Sequence, residues 1–128
     1  MNTILLGEYG ALEFKADHWE RWEVRTPIGL VDLQVDAGAD LGSEVSDCIT
    51  SVLDQFTKID TLAREYLSEH AAEDVALARE LHEPSLLFGA EESRGTFTLF
   101  YSGEDSDDDT CYGVEFRDYM PFDLTIGD

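Results

Sequence analysis

The chain has 128 residues, about the size of one domain, and 43% of them are hydrophobic, which is typical of globular proteins and excludes a disordered chain. Eight basic residues stand against 29 acidic ones, so the formal net charge is −21 at pH 7. This charge excludes ordinary binding to nucleic acids or anionic membranes, because both need clustered Lys and Arg. We therefore expect one domain over residues 1–128, whose charged partner, if it has one, is basic.

The cysteine content and the N-terminal stretch favour a cytoplasmic protein. Cys48 and Cys111 lie far apart with no CxxC motif, which does not predict a disulfide scaffold. The opening stretch MNTILLGEYGALEF lacks the cationic leader of a signal peptide. No run approaches the roughly 20 apolar residues of a membrane span. We expect a cytoplasmic protein that does not contact membranes and carries no cofactor.

The first part of the chain alternates between apolar and polar residues. The runs are TILLGEY, ALEFKAD, WERWEVR and LVDLQVD, and Tyr9-Gly10 and residues 26–29 (TPIG) separate them as turns. A period of two residues with one polar side predicts antiparallel strands packed on one face. In the third run Trp22 and Val24 fall on the same side, which predicts that both face the core.

The middle of the chain has the period of a helix. Apolar residues recur every three or four positions from Val45 to Leu67, which predicts a long amphipathic helix over about 44–69 with Ser43 as its N-cap. A second, shorter helix is predicted over about 72–82, and Pro84 prevents it from continuing.

Alternation returns after the proline in the runs SLLFG, TFTLFYS, YGVEFR and PFDLTIGD. Strands, then helices, then strands predict an α+β fold. We expect an antiparallel meander sheet, with strands before and after the helices, and the long and the shorter helix packed on one face of it.

The stretch GEDSDDDTCYGVEF places five carboxylates in six positions, 104–109, just before an alternating run. It does not fit a calcium-binding EF-hand loop: with Asp105 first, Thr110 occupies the glycine position and Phe116 the position of the bidentate glutamate. A weaker divalent-cation site among Asp105, Asp107 and Asp109 stays open. A hairpin with an acidic tip fits the pattern better, because two alternating segments flank the stretch.

The acidic residues are therefore candidates for binding a cation-rich partner, and no catalytic residue or metal ligand is predicted. His18, His70 and His82 lack metal-ligand spacing, Cys48 lies beside the apolar stripe of the helix, and neither GxSxG nor a phosphate-binding glycine loop is present. The predicted partner-binding residues are Glu104, Asp105, Asp107, Asp108 and Asp109, with Glu91 and Glu92 as a second patch.

The C-terminal run DDDTCYGVEFRDYMPFDLTIGD, together with ITSVLDQFTKID and AREYL in the helical block, resembles small acidic bacterial proteins of uncharacterised domain families. Some of these sit among the immunity proteins of polymorphic toxin systems. The resemblance implies no catalytic residue. It implies a protein that neutralises a cognate toxin by binding it.

We expect a non-catalytic protein that binds a basic partner protein, most concretely an immunity-type inhibitor of a toxin. Nuclease toxins have basic active sites because they hold phosphates, and a surface rich in carboxylates can occupy such a site. The alternative is an uncharacterised enzyme or divalent-metal-binding domain that uses clustered carboxylates.

Overall fold

The computed structural model describes residues 3–36, 43–70, 81–89, 96–103 and 111–127. These ranges contain a short 3-10 helix at Gly7–Tyr9, two α-helices and one sheet of eight strands. The helices are α1 (Ser43–Asp54) and α2 (Phe56–His70). The strands are β1 (Thr3–Leu5), β2 (Ala11–Lys15), β3 (His18–Thr26), β4 (Gly29–Asp36), β5 (Leu81–Gly89), β6 (Phe97–Gly103), β7 (Cys111–Arg117) and β8 (Met120–Gly127).

The strands lie side by side in the order in which they occur in the chain. Neighbouring strands are antiparallel with one exception, the parallel pair β4 and β5. A hairpin cannot join parallel strands, so the chain must cross over between them. Both α-helices belong to that crossover, which separates Asp36 from Leu81.

The predicted fold, an antiparallel meander with a long and a shorter helix packed on one face, is wrong. The sheet is mixed, and strands dominate the structure. The predicted helix over 44–69 is two helices that meet at Gln55. Of the predicted helix over 72–82, residues 81 and 82 belong to strand β5, where His82 pairs with Ser102, and the others lie outside the described residues. Apolar alternation reports which face of a strand is buried, but it does not report the direction of the neighbouring strand.

One face of the sheet forms the hydrophobic core with the two helices. Leu33, Leu86, Leu99 and Val114 are paired in this order across β4 to β7, and each is completely buried. Ridges of apolar side chains from α1 and α2 complete the cluster with Ile49, Val52, Leu53, Phe56, Ile59, Ala63 and Leu67. Their spacing of three and four keeps them on the inner side of the helices. Neither described helix is long and apolar enough to cross a membrane.

Two tyrosines connect the helices to the rest of the fold near their junction. The Tyr9 hydroxyl donates a hydrogen bond to Asp54 Oδ1 at 2.6 Å, where α1 ends. The Tyr101 hydroxyl, from β6, donates to Asp60 Oδ1 at 2.5 Å, in the first turns of α2. The end of α1 is thereby bonded to the 3-10 helix, and the start of α2 to the sheet.

Candidate protein-binding surface

The second face of the sheet, called the open face below, lies opposite the core. The buried residues of both helices join the core cluster, so within the described ranges the helices pack on the core face. Hydrogen-bonding register aligns one residue from each strand in a line across the open face. From β1 to β8 this line contains Thr3, Glu13, Glu20, Gln34, Leu87, Thr98, Glu115 and Asp123.

Two pairs of carboxylates lie directly opposite one another in this line. Glu13 pairs with Glu20, and Glu115 pairs with Asp123. Like charges in directly opposed positions destabilise a sheet by a few tenths of a kcal/mol or more, roughly up to 1 kcal/mol. The register therefore places two pairs of negative charges where, unless a basic group lies close by, they work against folding.

Basic side chains lie beside one of the two carboxylate pairs. Lys15 Nζ lies 3.3 Å from Glu13 Oε2, and His18 Nε2 lies 3.2 Å from Glu20 Oε2. Among the described residues no basic group lies within 4.0 Å of Glu115 or Asp123. The nearby Arg117 guanidinium instead lies over the Phe122 ring, 4.4 Å from its centroid. Within the described ranges, the Glu115–Asp123 pair is thus the one without a basic neighbour.

The middle of the open face is apolar. Phe100 is paired with Gly113 across β6 and β7, and its ring covers the glycine so closely that a Cβ on Gly113 would lie 2.8 Å from ring atom Cε1. Leu87 and Phe100 are both only half-buried. The open face therefore has an apolar centre with a carboxylate pair on each side of it.

Trp22 lies on the open face, where the alternation had not placed it. The prediction that Trp22 shares the core side with Val24 is wrong: Trp22 is 53% exposed, whereas Val24 is buried. A β-bulge between Arg21 and Val24 inserts an extra residue, and Glu23 takes a left-handed φ of 57°. Because the bulge shifts the alternation by one, Val24 reaches the core and Trp22 does not.

The bulge is held by a side chain of the next strand. The backbone N–H of Glu23 donates a hydrogen bond to Asp32 Oδ1 at 2.9 Å. Two further large apolar residues are exposed on the same hairpin, Ile28 at 46% and Leu30 at 49%. The β3–β4 hairpin therefore exposes three large apolar side chains.

A shallow groove of about 360 Å³ lies at the opposite end of the open face. Its lining combines the acidic side chains Asp36 and Glu115 with Arg117 and with the apolar Leu87 and Phe122. In the part of the chain that the structure describes, no three His, Cys, Asp or Glu side chains are grouped in a way that could hold a metal ion. The groove offers carboxylates and an aromatic wall, and the described part of its lining contains no histidine or cysteine.

All the sequence-predicted partner-binding residues lie outside the described residues, namely Glu91, Glu92, Glu104, Asp105, Asp107, Asp108 and Asp109. The described strands show where the chain enters and leaves these segments. Residues 90–95 precede the start of β6 and residues 104–110 follow its end, and the ends of a seven-residue strand are roughly 20 Å apart. The two predicted patches are thus attached at opposite ends of the sheet.

The register relates the second attachment point to the exposed hairpin. Asp32, Ser85 and Phe100 are paired in a line across β4, β5 and β6. Leu30 and Ser102 each lie two residues from that line, in the same direction along the sheet. The 104–110 segment therefore leaves the sheet at the end where Leu30 is exposed, whereas the 90–95 segment leaves at the end that carries the groove.

Sequence reasoning missed Trp22 and the Glu115–Asp123 pair as surface features. Alternation alone could have placed Glu115 and Asp123 on the polar side of their strands, but it could not show that they are opposite each other. A strand register is needed for that. The two-residue turn at Asp118 and Tyr119 places Arg117 opposite Met120, and a register shift between Glu115 and Phe116 then brings Glu115 opposite Asp123.

Comparisons with protein-family models, with curated proteins and with solved structures find no significant match. The resemblance to immunity proteins thus has no support beyond the residues that suggest it.

Proposed function

We propose that the chain is a non-catalytic, cytoplasmic protein that binds a basic partner protein, most concretely as an immunity-type inhibitor of a toxin. One observation carries the proposal: a carboxylate pair that no described basic group neutralises, Glu115 and Asp123, lies on the open face of a protein with a net charge of −21. This pair opposes folding, and a cationic side chain of a partner would neutralise it.

The overall charge supports the same class of partner. A strongly negative surface raises the rate of encounter with a positively charged protein and suppresses contact with negatively charged ones. A nuclease toxin is such a protein, because its active site binds phosphates. In this proposal the residues 104–109 contribute Glu104, Asp105, Asp107, Asp108 and Asp109 to binding, and Glu91 and Glu92 form a second patch.

The test uses the product of the gene that neighbours the one for this chain, purified and titrated calorimetrically at low and high salt. We expect binding that weakens as salt rises and, if that product is a toxin, restored growth of cells that produce both proteins. Absence of binding to that product, together with absence of any salt-sensitive basic partner in a pull-down, would overturn the proposal.

A matched pair of variants separates local recognition from total charge. The triple variant Asp107→Asn, Asp108→Asn, Asp109→Asn removes three negative charges from the predicted patch. The control, Asp47→Asn, Glu65→Gln, Glu69→Gln, removes three from exposed positions of α1 and α2. We expect the first to weaken binding by about tenfold or more and the control by about twofold or less, as for recognition concentrated in a few residues. Equal losses would assign binding to net charge alone.

A further inference from the structure

We propose that β8 pairs with an extended segment of the basic partner, which adds a further strand to the sheet and places a Lys or Arg beside Asp123. The partner is the basic protein of the proposed function, on which this inference rests. The side of β8 that faces away from β7, from Phe122 to Gly127, is called the β8 edge below. It consists of described residues and is separate from the acidic segments 90–95 and 104–110.

β8 is the last strand of the sheet and pairs, among the described strands, with β7 only. Backbone N–H and C=O groups on the outer side of an edge strand are available to pair with another extended chain. β8 has eight residues, whereas β1 at the opposite edge has three. Met120, Phe122, Asp123 and Thr125 are exposed along β8. β8 therefore provides the longer edge of the sheet, and several of its side chains are exposed.

Asp123 covers one backbone donor of the β8 edge. The Leu124 N–H donates a hydrogen bond to Asp123 Oδ1 at 2.8 Å, in an exposed position. In an antiparallel pair, residues whose N–H points to the neighbouring strand alternate with residues whose N–H points away from it. Because a side chain of β8 accepts the Leu124 N–H, we place Leu124 in the second class, together with Ile126 two residues further on. A carbonyl oxygen of an incoming strand can replace Asp123 as the acceptor, which frees this carboxylate to contact a cation.

The charge at the β8 edge selects a basic occupant. Over β7, β8 and the turn between them, the carboxylates of Glu115, Asp118 and Asp123 stand against one cation, Arg117. Arg117 lies over the Phe122 ring, 4.4 Å from its centroid, and within 4.0 Å of no described carboxylate. A second copy of this chain is a poor occupant, because it brings the same carboxylates and a net charge of −21 to the contact.

The groove of about 360 Å³ begins at the β8 edge and suits a long basic side chain. Its lining includes Phe122 of β8, Glu115 of β7 and Asp36 of β4. A residue of the added strand that lies opposite Asp123 projects to the same face as Asp123, which is the open face. The apolar stem of a Lys or Arg can pack on the Phe122 ring while its charge approaches Glu115. Backbone pairing and charge pairing thus select the same occupant, an extended chain with basic residues at alternate positions.

Two methylated peptides distinguish backbone pairing from attraction between charges. The probe is a synthetic peptide that alternates Lys and Thr and has blocked ends. In an antiparallel addition the Lys opposite Asp123 points its N–H away from β8, and the Thr N–H groups face Leu124 and Ile126. N-methylation of every Thr therefore removes the donors that face β8. N-methylation of every Lys removes the outer donors and is the control with the same charge.

Calorimetry at low salt measures the affinities of the three peptides, and NMR measures amide exchange in the protein. We expect methylation of Thr to weaken binding by about tenfold or more and methylation of Lys by about twofold or less, because only the first removes backbone hydrogen bonds to β8. The bound peptide should slow the exchange of the Leu124 and Ile126 amides. The reverse order of the two methylated peptides would indicate parallel addition at the same edge.

Asp123→Asn tests the contact between the carboxylate and the basic side chain. The control, Asp118→Asn, makes the same change in the turn between β7 and β8. We expect Asp123→Asn to lower the peptide affinity by about fivefold and Asp118→Asn by about twofold or less, because a charge adds most to binding where it is paired directly. Asn at 123 keeps an oxygen for the Leu124 N–H, so both variants should fold, and their thermal midpoints check this.

Strand addition and the proposed function can fail separately. Equal affinities of the three peptides, no binding of the unmethylated peptide, or unchanged exchange of the Leu124 amide would overturn strand addition at β8. The product of the neighbouring gene, bound as proposed, should slow the exchange of the same amides. Binding of that product without slower exchange at Leu124 would overturn the β8 assignment and leave the proposed function standing. Absence of any basic protein partner would overturn both.

Discussion

The hydroxyl of Tyr101 donates a hydrogen bond to Oδ1 of Asp60 at 2.5 Å, joining strand β6 to helix α2 through the core. Arg64, one helical turn after Asp60, contacts both residues. Its Nε lies 3.0 Å from each Asp60 oxygen, and its guanidinium carbon lies 4.8 Å from the centre of the Tyr101 ring. Burial raises the pKa of the Tyr101 hydroxyl, and the bond to Asp60 raises it further. The hydroxyl therefore stays a donor throughout the physiological pH range.

Tyr101→Phe and Asp60→Ala should differ in cost because Tyr101→Phe removes one contact of Asp60 and Asp60→Ala removes two. In Tyr101→Phe, Asp60 keeps Arg64, so the free energy of unfolding should fall by about 1 kcal/mol. In Asp60→Ala, the buried hydroxyl loses its acceptor and Arg64 loses its contact with this carboxylate, and the loss should be about 2–3 kcal/mol. Urea unfolding of the two single variants and the double variant measures this. Additive losses would show that the two side chains are not coupled.

Removal of the Tyr119 hydroxyl should raise the free energy of unfolding, whereas removal of the Tyr101 hydroxyl lowers it. Its hydroxyl is buried and finds no hydrogen-bond partner among the described residues, and its ring packs against the core. Tyr119→Phe removes an unsatisfied polar group and retains the ring, so it should stabilise the fold by about 1 kcal/mol. The comparison with Tyr101→Phe uses the same chemical change at a bonded hydroxyl. Destabilisation by Tyr119→Phe would show that the hydroxyl is bonded in solution.

The turn between β2 and β3 contains an alanine in a glycine-like conformation. Ala16 has a φ of 57°, in the left-handed region. That conformation costs a residue with a Cβ about 1–2 kcal/mol, whereas glycine adopts it freely. Ala16→Gly should therefore raise the free energy of unfolding by about 0.5–1 kcal/mol after the greater entropy of the unfolded glycine is subtracted.

Ala11→Gly is the control for this turn, since Ala11 lies within β2 and its φ is not in the left-handed region. There glycine gives no relief of strain, and the change should destabilise by about 0.5–1 kcal/mol. The thermal midpoints of Ala16→Gly and Ala11→Gly, compared with that of the unaltered protein, measure the two changes in stability. Two losses of equal size would contradict the left-handed conformation at Ala16.

His18 should titrate above the ordinary histidine range. Donation of a hydrogen bond from the protonated ring to Asp17 Oδ1, 2.9 Å from Nδ1, raises the pKa of His18 from its usual 6.5, and donation to Glu20 Oε2 raises it further. Because the folded-state pKa is the higher one, this stabilisation is fully present below about pH 6.5 and is lost as the pH rises through the folded-state value.

NMR titration of the ring protons measures the pKa of His18 directly. Asp17→Asn and Glu20→Gln should each lower it, with the larger effect from Asp17→Asn, because Asp17 is the main cause of the shift. The difference in thermal midpoint between the unaltered protein and Asp17→Asn should shrink between pH 6 and pH 8. A His18 pKa at or below 6.5 would rule out both carboxylate contacts in solution.

In two segments the alternation of residues located both the strand and the side that it buries. TFTLFYS is an example: Phe97, Leu99 and Tyr101 are buried in β6, while Thr98 and Phe100 lie on the open face. Burial of one face is a local property, and a period of two residues records it directly. The same signal exists for LVDLQVD, which is strand β4 with Val31, Leu33 and Val35 buried.

The sequence could not show how the strands are arranged or where a local irregularity interrupts them. The parallel pairing of β4 with β5 depends on the crossover. The alternation of apolar and polar residues in LVDLQVD would be the same beside a parallel neighbour as beside an antiparallel one. Glu23 lies within β3 and Gln55 lies between the two helices, and neither residue type predicts a bulge or a break in a helix. Trp22 was assigned to the core because alternation gives it the same side as Val24, and the bulge between Arg21 and Val24 puts the two on different sides.

The Glu115–Asp123 pair links stability to the proposed function, and neutralising it should affect the two in opposite directions. Glu115→Gln or Asp123→Asn alone should raise the free energy of unfolding by about 0.2–0.5 kcal/mol, because either change removes the cross-strand repulsion. Asn at 123 still offers an oxygen to the Leu124 N–H, which donates to Asp123 Oδ1 at 2.8 Å. The double variant should gain little more than a single one, since the repulsion is already gone.

The gain should disappear at high salt, where the repulsion between partly exposed charges is screened, while Glu65→Gln on α2 should show no comparable gain. Under the proposed function the same two variants bind the basic partner more weakly at low salt, because they lose the carboxylates that attract it. Urea unfolding measures the predicted gain in stability, and calorimetric titration of the same samples measures the predicted loss of binding. Variants that are more stable and bind equally well would mean that the open-face pair is a tolerated defect of the sheet and takes no part in recognition.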